Sequence, residues 1–167
     1  MATEPTVPQP QLSRLSDLLS AWEAEANAAY DAHNLGIPRG PISGFKLLDR
    51  EMGGCFMPGL HFVHGAPGTG KTAFGLQMAA TCGTPAMFIS CEMSPLELLR
   101  RHTARVTDTY LGKLKSGELS PAQSMSLVKR AANAAPQLAF LDATTAPATP
   151  AFVRDCAAIA RGDSPHL

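Results

Sequence analysis

One stretch of eight residues limits the fold more than any other part of the chain: Gly65-Ala66-Pro67-Gly68-Thr69-Gly70-Lys71-Thr72. It fits G-x-x-x-x-G-K-[ST], follows a segment that reads as a strand, Leu60-His61-Phe62-Val63-His64, and opens one that reads as a helix, Ala73 to Ala80. Glycines at 65, 68 and 70 let the backbone curl so that successive N–H groups point inward, and the following helix directs its positive end at the same point. Such a cradle suits a chain of phosphates. Lys71 then supplies a mobile cation for the β and γ phosphates, and the Thr72 hydroxyl stands where it can ligate Mg²⁺. The residues predict a site for a nucleoside triphosphate with magnesium.

The surroundings predict an α/β fold. After the helix and a turn at Thr84-Pro85 comes a second strand, Ala86-Met87-Phe88-Ile89-Ser90, so strand, helix and strand form a βαβ unit with a parallel sheet. Three later helices start with a hydroxyl residue followed by proline: Ser94-Pro95, Ser120-Pro121 and Thr149-Pro150. Glu97 and Gln123 complete capping boxes for the first two. Leu138-Ala139-Phe140-Leu141-Asp142 is a third strand.

Beyond the phosphate loop, three features carry chemistry and leave alternatives open. Glu92 leaves the carboxyl end of the second strand, where ligands of open parallel sheets bind; there it either polarises a water for attack on the γ-phosphate or sits on the surface ahead of a helix. Asp142, after four apolar residues, is either a Walker B aspartate holding Mg²⁺ through water or an Asp capping a turn. Arg100, Arg101 and Arg105 face DNA, a neighbouring subunit or solvent.

The rest of the chain is organised around this core. Residues 1–11, with three prolines, read as a flexible arm; Leu12, Leu15, Leu19, Trp22, Ala26 and Ala29 draw an apolar stripe along a helix over 12–35; residues 36–167 hold the domain. The stripe packs either on its own domain or on a neighbouring subunit. Fourteen basic residues balance fourteen acidic ones, which excludes a strongly basic nucleic-acid coat. There is no membrane-length apolar run and no export signal, and four cysteines without a CxxC pair read as buried hydrophobes in a reducing cytoplasm.

Ile42-Ser43-Gly44-Phe45 with Leu48-Asp49, Gly53-Gly54, Pro58-Gly59-Leu60, the Gly65–Thr72 loop and the Ser90-Cys91-Glu92-Met93-Ser94 run resemble the RecA-like ATPase domain of DnaB-type replicative helicases. The resemblance continues through Leu111 to Ser120 and Leu138 to Thr144, covering roughly residues 40 to 162. It implies a RecA-like P-loop NTPase with a parallel sheet flanked by helices, working as a hexameric ring that hydrolyses ATP and moves along single-stranded DNA. On that analogy Lys71 and Thr72 bind the phosphates and Mg²⁺, Glu92 is the catalytic glutamate, and the helix over 12–35 is a linker that packs on the adjacent subunit. The family's Walker B strand follows the helix that here is Pro150 to Arg161, so the domain is expected to be incomplete at its C-terminus, with Asp142 an ordinary strand end. Two further readings stand beside the helicase: a RecA-fold ATPase of the RadA and KaiC groups, and a nucleotide-binding module without catalysis.

Overall fold

A computed structural model describes residues 12–162, so the expected arm over 1–11 and the last five residues lie outside the described part. The chain divides into two units, one ending at Arg39 and the other beginning at Gly40. In the first, a 3-10 turn at Leu15–Leu18 leads into α1, Leu19–Leu35, where sequence periodicity predicts one continuous helix. Gly36 stops α1 in the left-handed region at φ 63°, a conformation that glycine adopts without a Cβ penalty. Arg39 returns to pair with Glu25 of α1. No residue of α1 is buried, and Leu19, Trp22 and Tyr30 are exposed.

The second unit begins with a clamp. Asp49, on the short helix α2 (Lys46–Glu51), accepts a 2.6 Å hydrogen bond from the Ser43 N–H, and Gly53 and Gly54 close the helix with positive φ. Helix α3, Lys71–Thr81, leads through Cys82 and Gly83 into strand β1, Ala86–Ser90. The chain then runs through α4 (Pro95–Thr107), the single turn α5 (Lys113–Ser116) and α6 (Pro121–Ala134) before returning as β2, Leu138–Asp142. Helix α7, Pro150–Arg161, follows. Strands β1 and β2 are parallel, in the register Ala86 to Leu138 through Ser90 to Asp142, and Phe88 meets Phe140 edge-on at 6.4 Å. Gly75 of α3 faces the Phe88 ring, where an added Cβ would make an ordinary contact at 3.5 Å.

Three expectations are corrected. Leu60 to His64 is not a strand: the parallel pair is β1 with β2, and the expected βαβ unit across α3 does not form. Composition and flanking turns favour a strand, but a strand exists only through a neighbour's hydrogen bonds, and among the described residues none pairs with these. Leu60 and Phe62 are instead exposed at 79% and 72%, and they border an apolar groove of about 980 Å³ whose far wall is Ala86 to Phe88. Second, the Ser94 box is half made. Ser94 Oγ accepts from the Glu97 N–H, but the Glu97 carboxylate turns to Arg100, Arg101 and Lys115 (3.6, 3.1 and 2.8 Å), because cations attract it more strongly than a backbone N–H. The Ser120–Gln123 box is complete in both directions. Third, Cys91 is exposed and Cys156 half-buried, whereas Cys55 and Cys82 are buried as expected.

Candidate nucleotide-binding site

The phosphate loop takes its shape from its own residues. Gly68 and Gly70 adopt φ of 79° and 91°, in the region closed to most side chains, and Gly70 caps α3 at its N-terminus. Gly65 is required for a different reason: a Cβ there would lie 2.6 Å from Thr69 Oγ1. Thr69 pins the turn, its hydroxyl donating to the Ala66 carbonyl at 2.8 Å. Residues 65–71, Ala66 and Pro67 among them, are solvent-exposed, and Thr72 is half-buried. Among the described residues the N–H groups of Lys71, Thr72 and Ala73 donate to no carbonyl or side chain, while that of Phe74 already bonds Gly70. Unspent donors at the positive end of a three-turn helix, beside a lysine and a hydroxyl, form a donor set that fits a polyphosphate with its metal ion. The Lys71 ammonium donates to the carbonyls of Gly65 and Ala66 at 2.7 and 2.9 Å. It spans the loop that the phosphates would enter.

Glu92 lies just beyond the carboxyl end of β1, in the turn that leads to α4. Eleven residues of α3 span about 16 Å and five residues of β1 about the same. Buried Ser90 fixes the turn beyond: its Oγ accepts from the Met93 N–H at 3.0 Å and its carbonyl from the Ala143 N–H at 2.8 Å. Glu92 projects from that turn, exposed and without an ion pair among the described residues.

Asp142 ends β2, opposite Ser90, and β2 contributes nothing to the groove beside Leu60 to His64. Its Oδ1 accepts from the Thr144 N–H at 2.9 Å and the Thr144 hydroxyl at 2.6 Å, an Asx turn. The Thr144 hydroxyl first, then the backbone bond, holds this carboxyl below the usual range. Arg100 and Arg101 are tied to Glu97, so of the three arginines only Arg105 makes no ion pair among the described residues.

Sequence reasoning passed over the support behind α3. Thr81 at its C-terminal end donates to the Gln77 carbonyl at 2.8 Å and approaches that of Ser43 at 3.2 Å, the Ile42 N–H donates to the Cys82 carbonyl, and Phe45 stacks on Phe74 at 5.4 Å. The Ser43-Gly44-Phe45 and Asp49 residues are thus the seat on which the phosphate-binding helix rests. The signal was the short spacing between Ser43, Gly44 and Asp49, which allows one carboxylate to close a turn.

A glycine-shaped phosphate loop opening a helix, beside a parallel pair of strands flanked by helices, has the form of a P-loop α/β fold. The chain belongs to the DnaB-like helicase C terminal domain family, which it matches over residues 40–161. It is also 35% identical, over 113 residues, to the replicative DNA helicase DnaB of Nostoc sp. (strain PCC 7120), an overlap of 65% of this chain and 12% of that protein. Both similarities fall on the helicase family and not on the RadA or KaiC groups. The chain thus spans about an eighth of that relative. No helix among the described residues is long and apolar enough to cross a membrane.

Proposed function

We propose that residues 40–162 are the ATP-binding part of a DnaB-type replicative helicase, a cytoplasmic hexameric ring whose ATP hydrolysis drives movement along single-stranded DNA. The observation that carries this reading is the phosphate loop: unspent N–H donors on Lys71, Thr72 and Ala73, two positive-φ glycines and the Lys71 ammonium together. Family membership supplies the rest. In this reading the loop from Gly65 to Thr72 grips the phosphates, Lys71 exchanges its two carbonyl partners for phosphate oxygens, and the Thr72 hydroxyl ligates the metal. When bound, Mg²⁺ neutralises charge developing on the β and γ oxygens. Glu92 takes the proton of the attacking water. Asp142 keeps its turn with Thr144 and acts in metal binding only if that turn opens.

The test is binding of a fluorescent ATP analogue to the chain and to Lys71→Ala. A loss of at least about tenfold is expected, since hydrogen bonds to charged groups contribute about 1.5–3 kcal/mol; unchanged affinity overturns the phosphate-loop assignment. In full ring assemblies Glu92→Gln should keep binding and lower turnover about a hundredfold or more. Binding by the wild-type chain without any turnover favours a non-catalytic nucleotide module.

A further inference from the structure

The contact between α4 and α6 is closed by a histidine. His102 on α4 is 3% exposed, and its Nε2 lies 3.0 Å from the carbonyl of Ala131, itself fully buried on α6. A carbonyl only accepts, so Nε2 carries the proton and the ring is the neutral tautomer. Its other nitrogen, Nδ1, is buried and has no partner among the described residues. One turn along, Arg130 of α6 reaches the Val106 carbonyl of α4 at 3.4 Å, a second and longer bond across the same seam.

A second proton on this ring has no acceptor. It would place an imidazolium N–H in a packed seam where the bare lone pair now sits, with the cost of an unpaired buried charge. Of the charges on α4, Glu97 is held by Arg100, Arg101 and Lys115, while Arg105, one turn from the ring, opposes protonation. The packed neighbours offer no relief: α6 carries Lys129 and Arg130, α3 has only Lys71, and the carboxylate of β2, Asp142, is engaged by Thr144.

We propose that His102 makes the α4–α6 seam a proton-sensitive joint, shut by the neutral ring and opened when Nδ1 is protonated. Burial, the largest influence, holds this imidazole below its ordinary range of about 6.5; the bond to Ala131 opposes it, and Arg105 adds a smaller push downward. The folded chain thus disfavours the charged form. The seam's contribution is complete above the ordinary imidazole range and is lost as pH falls through and below it. Because α4 begins at Pro95, three residues beyond Glu92, opening the seam frees the element that anchors the Glu92 turn on its far side.

The test uses the full chain and follows histidine ring resonances by NMR between pH 8 and 4.5, with thermal unfolding in parallel. His102 should titrate below the ordinary imidazole range of about 6.5, and amide exchange in α4 and α6 should rise as it does. In His102→Gln, whose amide can still donate to Ala131, the midpoint should lose about 3 °C less than wild type between pH 7 and pH 5. Titration of His102 within the ordinary imidazole range of about 6.5, or identical acid profiles for the two proteins, overturns the proposal. If His102→Gln fails to fold, the wild-type titration and exchange decide alone.

Discussion

Before Lys71 can meet a phosphate it has to leave the two carbonyls of its own loop. These bonds are short, 2.7 and 2.9 Å, yet both partners are exposed, so water readily replaces them and the exchange costs little. The conservative change Lys71→Arg is therefore not neutral: a planar fork cannot follow the same path through a loop built for a slender ammonium, and analogue affinity should fall as in Lys71→Ala. Gly44 is constrained more severely. At φ 79° a Cβ would also lie 2.3 Å from Thr81 Oγ1, so Gly44→Ala should destabilise the second unit by about 2 kcal/mol, measured by urea unfolding. Thr81→Ala removes the nearest atom but leaves the Thr81 Cβ at 3.0 Å and the positive φ, and should recover only part of that loss. Three carboxyls lie below their usual range: Asp49 through hydrogen bonding from Ser43, Glu97 chiefly through Lys115, and Asp142 through Thr144. Groups depressed in this way stabilise the fold above their unfolded pKa near 4 and cease to do so as pH falls through their folded values. Glu97→Gln should flatten the unfolding profile below pH 4 and leave the limb between pH 7 and 5 untouched.

Elements announced by local chemistry were readable from sequence, while elements defined by partners were not. The starts of α4, α6 and α7 follow from Ser94, Ser120 and Thr149 with the prolines behind them, because a cap involves only residues three apart. Ser120→Ala, which breaks the complete box, should cost about 1 kcal/mol in unfolding experiments. The phosphate loop was equally legible, since its glycines dictate their own dihedrals. Leu60 to His64 shows the opposite case, with strand composition but no strand beside it. Glu97 was read as a box residue because Lys115, eighteen positions away, is invisible to a local rule. A lone histidine within a helix likewise says nothing of the seam it closes until α6 is laid against it.

The molecule as a whole is lightly packed. Among the described residues five hydrophobic and four polar ones are buried, so each carries a large share of the core. Leu98 is fully buried, and Leu98→Ala should cost about 3 kcal/mol, enough to compromise a domain of ordinary stability. The first unit exposes the apolar stripe that sequence periodicity drew. Trp22, the sole tryptophan and 73% exposed, reports on whatever covers that stripe. If α1 docks on a neighbouring copy, tryptophan emission should move to the blue as protein concentration rises, in step with sedimentation of larger species. Emission that stays constant while such species form would show that assembly uses another surface.

In the proposed site the matched lengths of α3 and β1 act as a gauge block between the phosphate loop and Glu92. Substitutions inside it are absorbed locally, but a single inserted or deleted residue in α3 would turn every helical position before it by about 100° and shift it by about 1.5 Å. Related sequences should therefore keep the same number of residues between Lys71 and Ser90 even where exposed positions within that span change type. Gains and losses of length should gather in turns such as Gly53 to Gly59, where no distance has to be kept.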